Sequence, residues 1–469
     1  MFLGRTEELS IMEDAYNSEK FEFLVLYGRR RIGKTSLLQE FSRLHKTLFY
    51  SAQEKNDALN LSDFSKAVQM YFENQFFSDF KDWNTAFSYI SNKLNNEKLV
   101  LIIDEFPFIA SENPAIKSML QHTIDHIWKQ KNIFLILCGS SVSFMEDEVL
   151  AHKSPLYGRS TAHIELKAFD YIESSAFFPR YSNLEKLIAY GILGGVPCYL
   201  ETFDDKKSIT QNIASKILKE GTFLKDEPIF LLRQELREPA VYNSIFEALA
   251  GGATRINDVA SKIHEEAQKC SKYMSTLQSI RLIKKCVPCG EDSSSRKSIY
   301  RISDNYFLFW YHFLFEQKSY YEILGAENSA KEIMQPENIN THLGKVFEEI
   351  ALEYMIRLAK KQKLPFVPVQ YGKWWGNNPA RKMQDDIDVL LTDKNEEKII
   401  ICECKFRNDQ FDKEEFESMI SRSSIFQKAK NTGKIYFYAF SKSGFTKWVC
   451  EHAAENNVTL VSIDDMFLN

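Results

Sequence analysis

Residues 28–35 read Gly-Arg-Arg-Arg-Ile-Gly-Lys-Thr, and no other stretch limits the fold as sharply. The spacing fits G-x-x-x-x-G-K-[ST], the pattern of a loop that wraps phosphates. Its flanks fit as well. Residues 21–27, Phe-Glu-Phe-Leu-Val-Leu-Tyr, read as a short buried strand, and residues 35–41 as the start of a helix. Gly28 and Gly33 let the backbone turn its N–H groups onto phosphate oxygens, and the helix N-terminus adds positive potential. Lys34 supplies a point charge for the β- and γ-phosphates, and the Thr35 hydroxyl a ligand for Mg²⁺. The expected nucleotide-binding run is Gly28, Arg29, Arg30, Arg31, Ile32, Gly33, Lys34, Thr35 and Ser36.

A second stretch completes the chemistry. Residues 98–105 read Lys-Leu-Val-Leu-Ile-Ile-Asp-Glu, an apolar run ending in two carboxylates. Apolar residues on both faces point to a central parallel strand. The carboxyl ends of such strands are where open α/β sheets bind ligands. Asp104 is placed to hold Mg²⁺, directly or through water, and Glu105 to polarise a water for attack on the γ-phosphate. A further strand ends in Cys138-Gly-Ser140. If it neighbours the Asp-Glu strand, the Ser140 hydroxyl becomes a nucleotide sensor.

Composition bounds what surrounds these motifs. At 469 residues the chain exceeds one ordinary core, and about two to four domains are expected. A formal charge of −5 argues against a uniformly basic nucleic-acid binder and leaves room for a local basic face. No apolar run reaches membrane-span length, and residues 1–20 lack a secretion-signal pattern. The eight cysteines are scattered. Together these imply reduced thiols and a cytoplasmic protein without a membrane partner. Cys286-Val-Pro-Cys289 has no second Cys/His pair at zinc spacing and reads as two ordinary thiols.

Strand and helix signals alternate over residues 1–168. Strands are expected at 21–27, 47–51, 99–103, 133–138 and 163–166, the βα pattern of a parallel sheet covered on both faces. Residues 169–232 read as helical and carry Gly194-Gly-Val-Pro197. Residues 233–315 give three short helices, then a hairpin around the turn at Gly290–Ser295, then an aromatic connector. That is the outline of a winged helix-turn-helix, whose third helix, with Lys269, Ser271, Lys272, Ser275 and Gln278 on or just before it, would face DNA.

Residues 335–469 hold a separate constellation. A long amphipathic helix carries Glu348 and Glu349. After a loop with Trp374 and Trp375, a strand carries Asp386 and Asp388, and the next strand reads Ile401-Cys-Glu-Cys-Lys405. Side chains two apart on a strand share a face, so Glu403 and Lys405 point the same way. Setting a carboxylate and an ammonium into so apolar a strand is costly without compensation. A metal ion between Asp388 and Glu403 would compensate them, with Lys405 steadying developing phosphate charge and Glu348 as an accessory acid. Carboxylate oxygens suit Mg²⁺ or Mn²⁺.

These motifs carry a resemblance. Residues 1–315 resemble the archaeal-type ATPases of the STAND branch of the AAA+-related superfamily. The matching residues are Phe2-Leu-Gly-Arg5 with Glu7-Glu8, residues 28–35, Asp104-Glu105, Gly139-Ser140, Leu156-Tyr-Gly-Arg159 and Gly195-Val-Pro197. The resemblance implies that Arg5 and Pro197 lie near the adenine and that Arg159 contacts nucleotide. The C-terminal segment is similar to the restriction-endonuclease-like superfamily, including Holliday-junction resolvases, in the order Glu348, Asp388, Glu403, Lys405. That motif usually opens Pro-Asp, whereas Ile387 precedes Asp388 here.

The expected fold is therefore α/β throughout. It comprises a P-loop sheet domain (1–168), a helical lid (169–232), a winged helix (233–315) and a nuclease-like α/β domain (335–469). The expected protein binds and hydrolyses ATP with Mg²⁺ as a switch, and its C-terminal domain cuts DNA with Mg²⁺. The competing reading is a signalling or scaffold ATPase whose C-terminal domain only binds nucleic acid or protein. An arginine acting in trans would require an oligomer.

Overall fold

The computed structural model describes residues 2–73, 78–94, 97–378, 383–395, 397–427 and 433–468. The chain divides into two compact units, residues 1–168 with 196–198, and residues 169–195 with 199–469.

The first unit is built on five parallel strands: β1 (Glu22–Tyr27), β2 (Thr47–Ser51), β3 (Leu99–Asp104), β4 (Ile133–Gly139) and β5 (Ala162–Glu165). Their spatial order is β2-β3-β4-β1-β5. The central strands β3 and β4 are buried along their whole length. This is why their sequences read as unbroken apolar runs rather than alternating ones. The inner strands run in register, Leu101 beside Leu135 and Leu135 beside Phe23. All carboxyl ends lie along one edge, and the loops after β1, β3 and β4 meet there. The core on one face of this sheet includes Trp83, Phe87, Phe106 and Trp128, each nearly or fully buried.

The second unit holds helices over 169–195 and 199–235. They are followed by helices Pro239–Ala250, Ile256–Lys262 and Ala267–Ser279 and an antiparallel hairpin, β6 (Ile283–Cys286) with β7 (Ile299–Ile302). After the aromatic connector comes the helix Pro336–Lys360. It packs on a mixed sheet of β8 (Gln370–Asn378), β9 (Met383–Thr392), β10 (Lys398–Lys405), β11 (Lys434–Ser441) and β12 (Val458–Ser462). The order is β12-β11-β10-β9-β8. The first two pairings, β8–β9 and β9–β10, are antiparallel, and β10–β11 and β11–β12 are parallel. The stretch with Trp374 and Trp375, expected as a loop, is strand β8. Its glycines and tryptophans hide the period-2 pattern that marks a strand. Among the described residues, no helix is long and apolar enough to cross a membrane.

Candidate functional sites

The phosphate loop joins β1 to the helix Lys34–Leu44. Two glycines make it possible. Gly28 has φ of 155°, and a Cβ there would lie 2.5 Å from the Leu166 carbonyl oxygen. Gly33 has φ of 92°, a left-handed conformation that disfavours any side chain. The Lys34 ammonium donates to the carbonyls of Gly28 (2.8 Å) and Arg29 (2.9 Å), folded back over the loop. Burial holds its pKa below the usual lysine value, with Cys138, Glu105 and Asp104 pulling the other way.

The acidic strand end faces this loop. Thr35 Oγ1 donates to Asp104 Oδ2 at 2.9 Å. A hydroxyl and a carboxylate at that separation are a fitting donor set for Mg²⁺, a hard cation that favours oxygen. Glu105 sits at φ of 52°, a strained conformation for a residue with a side chain, of the kind that clusters at functional sites. Its Oε2 accepts from Ser140 Oγ (2.8 Å) and Ser140 N (3.2 Å). Strand order brings them together: β4 lies between β1 and β3, so Ser140 follows the strand that separates loop from acid.

The other expected ligands fall less uniformly. Arg5 is buried, and its guanidinium donates to the carbonyls of Ile32 (3.1 Å) and Lys167 (2.8 Å) and to Glu8 (3.2 Å). It clamps the loop backbone. Pro197 Cγ would lie 3.6 Å from a Cβ at Gly33, so the proline flanks the loop. Arg159 is not brought to the cradle. It lies just before Ala162, which pairs with Leu24, toward the amino edge of the sheet, whereas the phosphate loop follows Tyr27 at the carboxyl edge. There it forms an ion pair with Asp125 (2.6 and 3.0 Å) that holds the Asp125 carboxyl below its usual pKa. In this structure Arg159 is thus engaged with Asp125 and is not part of the phosphate cradle.

In the second unit Glu348, Asp388, Glu403 and Lys405 converge. Asp388 Oδ2 accepts from the Cys404 backbone N–H at 2.8 Å, across the β9–β10 ladder. Glu403 is buried and its pKa is raised, first by burial and then by Asp388. Lys405 reaches Glu403 at 2.5 Å, and Arg422 pairs with the other oxygen of Glu403 and with Asp385 at 3.2 Å. Glu348 accepts two bonds from Lys373, at 2.8 and 2.9 Å. Burial followed by Asp388 pushes its pKa up to about 7, against the pull of Lys373.

Compensation of the buried acids therefore comes from cations of the chain. Among the described residues, no group of three His, Cys, Asp or Glu side chains is arranged to hold a metal ion. The expected pair Asp388 and Glu403 is not a metal cage in this arrangement, because each acid already faces an ammonium, a guanidinium or a backbone N–H. Sequence reasoning missed Lys373, Asp385 and Arg422. Arg422 ends a helix 19 residues beyond Glu403, too far for any local pattern to join them.

A profile of ATPase domains found predominantly in Archaea matches residues 2–203. A second profile, described as archaeal and bacterial proteins of unknown function, matches residues 310–435. The protein MJECL04 of Methanocaldococcus jannaschii is 31% identical over 409 residues, which is 87% of this chain and 88% of that protein. The ATP-binding protein MJ0423 of the same organism is 49% identical over 41 residues, 9% of this chain and 70% of that protein. Among solved structures, the Walker-type ATPase PABY2304 of Pyrococcus abyssi aligns with a TM-score of 0.51 at 17% identity, covering 66% of this chain and 96% of that one. The chain belongs to the same family as MJECL04 and carries an archaeal-type P-loop ATPase domain.

Proposed function

We propose that the chain is an ATP-driven switch, with nucleotide held by residues 28–36 and hydrolysis carried by Glu105. The observation that carries this reading is the pair of contacts Thr35–Asp104 and Glu105–Ser140 at the mouth of the phosphate loop. Thr35 and Asp104 would hold Mg²⁺, which when bound neutralises phosphate charge. Lys34 would leave the Gly28 and Arg29 carbonyls for the β- and γ-phosphates. Glu105, oriented by Ser140, would accept a hydrogen bond from the attacking water, and Arg5 would keep the loop in shape. Calorimetry and a phosphate-release assay test this. Lys34→Ala should lose ATP binding, and Glu105→Gln should bind ATP and fail to hydrolyse it. Equal ATP affinity in wild type and Lys34→Ala sinks the reading.

A second reading concerns the C-terminal domain, and the convergence of Glu348, Asp388, Glu403 and Lys405 favours it. We propose that residues 335–469 form a restriction-endonuclease-like domain directed at DNA phosphodiesters and dependent on Mg²⁺ or Mn²⁺. On this reading residues 169–232 serve as a lid and residues 233–315 as a winged helix. The exposed Lys269, Ser271, Lys272 and Ser275 of helix Ala267–Ser279 would meet the DNA backbone. Metal-dependent cleavage of branched, nicked or linear duplex by wild type and its loss in Glu403→Ala is the expected result. Cleavage of none of them leaves the scaffold reading in its place.

A further inference from the structure

We propose that Lys373 is a built-in counter-ion that closes the C-terminal carboxylate cluster to divalent metal, and that the β6–β7 hairpin holds it there. This rests on reading the cluster as a metal-dependent phosphodiesterase site.

One ammonium reaches three carboxylates. Lys373 Nζ lies 2.8 Å from Glu348, 3.0 Å from Asp386 and 3.6 Å from Asp388. Several carboxylate oxygens around one positive charge is the environment that a hard divalent cation also seeks. The ammonium and a metal therefore compete for the same oxygens.

The backbone is shaped to deliver this side chain. The β8–β9 register slips between Gly372 and Trp374, with Gly372 opposite Leu390 and Trp374 opposite Ile387. Lys373 is the residue at the irregularity, the kind of place where a strand re-aims a side chain. Its carbonyl is taken by the Cys289 N–H at 2.9 Å, and Cys289 lies between β6 and β7. The hairpin region grips at three more points. Trp375 Nε1 donates to the Lys297 carbonyl at 3.1 Å, Arg301 lies 3.7 Å from Glu348, and Lys284 lies 2.7 Å from Glu349. Lys373 thus has its side chain on the acids and its backbone on the hairpin.

Release has somewhere to go. A cavity of about 330 Å³ is lined by Tyr300, Arg301, Lys345, Glu348, Glu349 and Lys373. It borders the acids and gives the Lys373 side chain room to swing out. Movement of the hairpin would withdraw the bond at Cys289 and shift the lysine toward that space. Apparent metal affinity then scales with the fraction of molecules in the open arrangement.

The test is Mn²⁺ binding to the full chain, followed by electron paramagnetic resonance. It is done without nucleotide and in an Asp104→Asn background that removes the phosphate-loop site. Lys373→Met should bind Mn²⁺ at least tenfold more tightly than the background protein, and Lys373→Arg, which keeps the charge, should stay closed. Lys284→Met loosens the hairpin while leaving all three acids in place, and it should tighten binding by a smaller factor. It also keeps the idea testable if Lys373→Met does not fold. Adding Glu403→Gln should abolish the gain. Equal Mn²⁺ affinity in the background protein, Lys373→Met and Lys284→Met, with loss in Glu403→Gln, overturns the lock and leaves the metal site standing. Absence of Glu403-dependent binding in every variant overturns the metal-site reading itself.

Discussion

The two clusters of ionisable groups follow opposite electrostatic plans. In the phosphate loop the carboxylates of Asp104 and Glu105 are held by hydroxyls, those of Thr35 and Ser140, and the lone lysine rests on backbone carbonyls. In the C-terminal cluster Glu348, Asp386 and Glu403 are held by whole charges from Lys373, Lys405 and Arg422. Neutral partners are easily exchanged, because a hydroxyl gives up a carboxylate to a metal without leaving a buried charge behind. Cationic partners are not, because removing one uncovers a charge in a poorly solvated place. The first site is thus ready for a polyanion with its metal, and the second is neutralised from within.

The contrast predicts different failures. The largest effect belongs to the loop. Lys34→Ala should weaken ATP binding by more than about 100-fold, the order expected for a charge-assisted contact to phosphate in a buried site, while its melting temperature without nucleotide barely moves. Glu105→Gln should keep ATP affinity and lose about 100-fold or more in turnover. A Lys34→Ala protein that unfolds would break the comparison, since it would make the lysine a structural counter-ion like those of the second site.

Arg422→Met tests the other half. Glu403 would keep Lys405 and lose its guanidinium, and Asp385 would lose the same partner. Breaking a buried pair on one side typically costs about 3–5 kcal/mol, and some of that is recovered by protonation of Glu403, whose pKa is already raised. Chemical denaturation should therefore show a loss of about 2–3 kcal/mol. A change below about 0.5 kcal/mol, typical of surface positions, would place the pair among solvated ones.

How much of this could be read in the sequence follows from the same physics. The phosphate loop, the Asp104-Glu105 strand end and the five-strand alternation are local patterns: glycine spacing, apolar runs and turn residues. They gave the sheet domain with strand ends within a residue or two. The Glu403–Lys405 pair was visible because period 2 on a strand is also local. The partners that complete the clusters were not. Lys373 is aimed by a strand irregularity inside a segment that reads as a loop, Arg422 arrives from a helix end, and Arg159 finds Asp125 across the sheet's amino edge. Each depends on tertiary packing between residues far apart in sequence, which no window of residues encodes.

A middle-sized effect sharpens the first site. Ser140→Ala removes one neutral hydrogen bond to Glu105 and leaves the Ser140-position backbone N–H in place. Turnover should fall about tenfold, in keeping with about 1–1.5 kcal/mol for such a bond, with ATP affinity nearly unchanged. A loss as large as that of Glu105→Gln would mean that Ser140 itself contacts the reacting phosphate.

The last effect lies outside both clusters and asks whether neutralisation from within is general in the second unit. Glu353 is half-buried on helix Pro336–Lys360, accepting from Tyr190 Oη at 2.9 Å and from the Tyr171 N–H at 3.2 Å. Arg357, one turn on, is engaged with Asp170 at 2.9 Å, so Glu353 has neutral donors where Glu348 has an ammonium. Burial, with Asp170 and Glu349 adding repulsion, raises its pKa to about 8 despite the bonds from Tyr171 and Tyr190. A carboxyl that takes up its proton more readily when folded stabilises the fold below its unfolded pKa, and that contribution is lost as pH rises toward the folded value. Between about pH 5 and 8 the stability contributed by this group should fall by about 1.4 kcal/mol per pH unit at most, less whatever relaxation of the site recovers. Glu353→Gln keeps the shape, offers the tyrosine hydroxyl an acceptor, and does not titrate. Thermal melts of the two proteins across that window should therefore diverge, with the glutamine variant the flatter and, at pH 8, the more stable. Parallel curves would show that Glu353 ionises in place, and that this unit tolerates a half-buried charge with neutral partners as readily as the phosphate loop does.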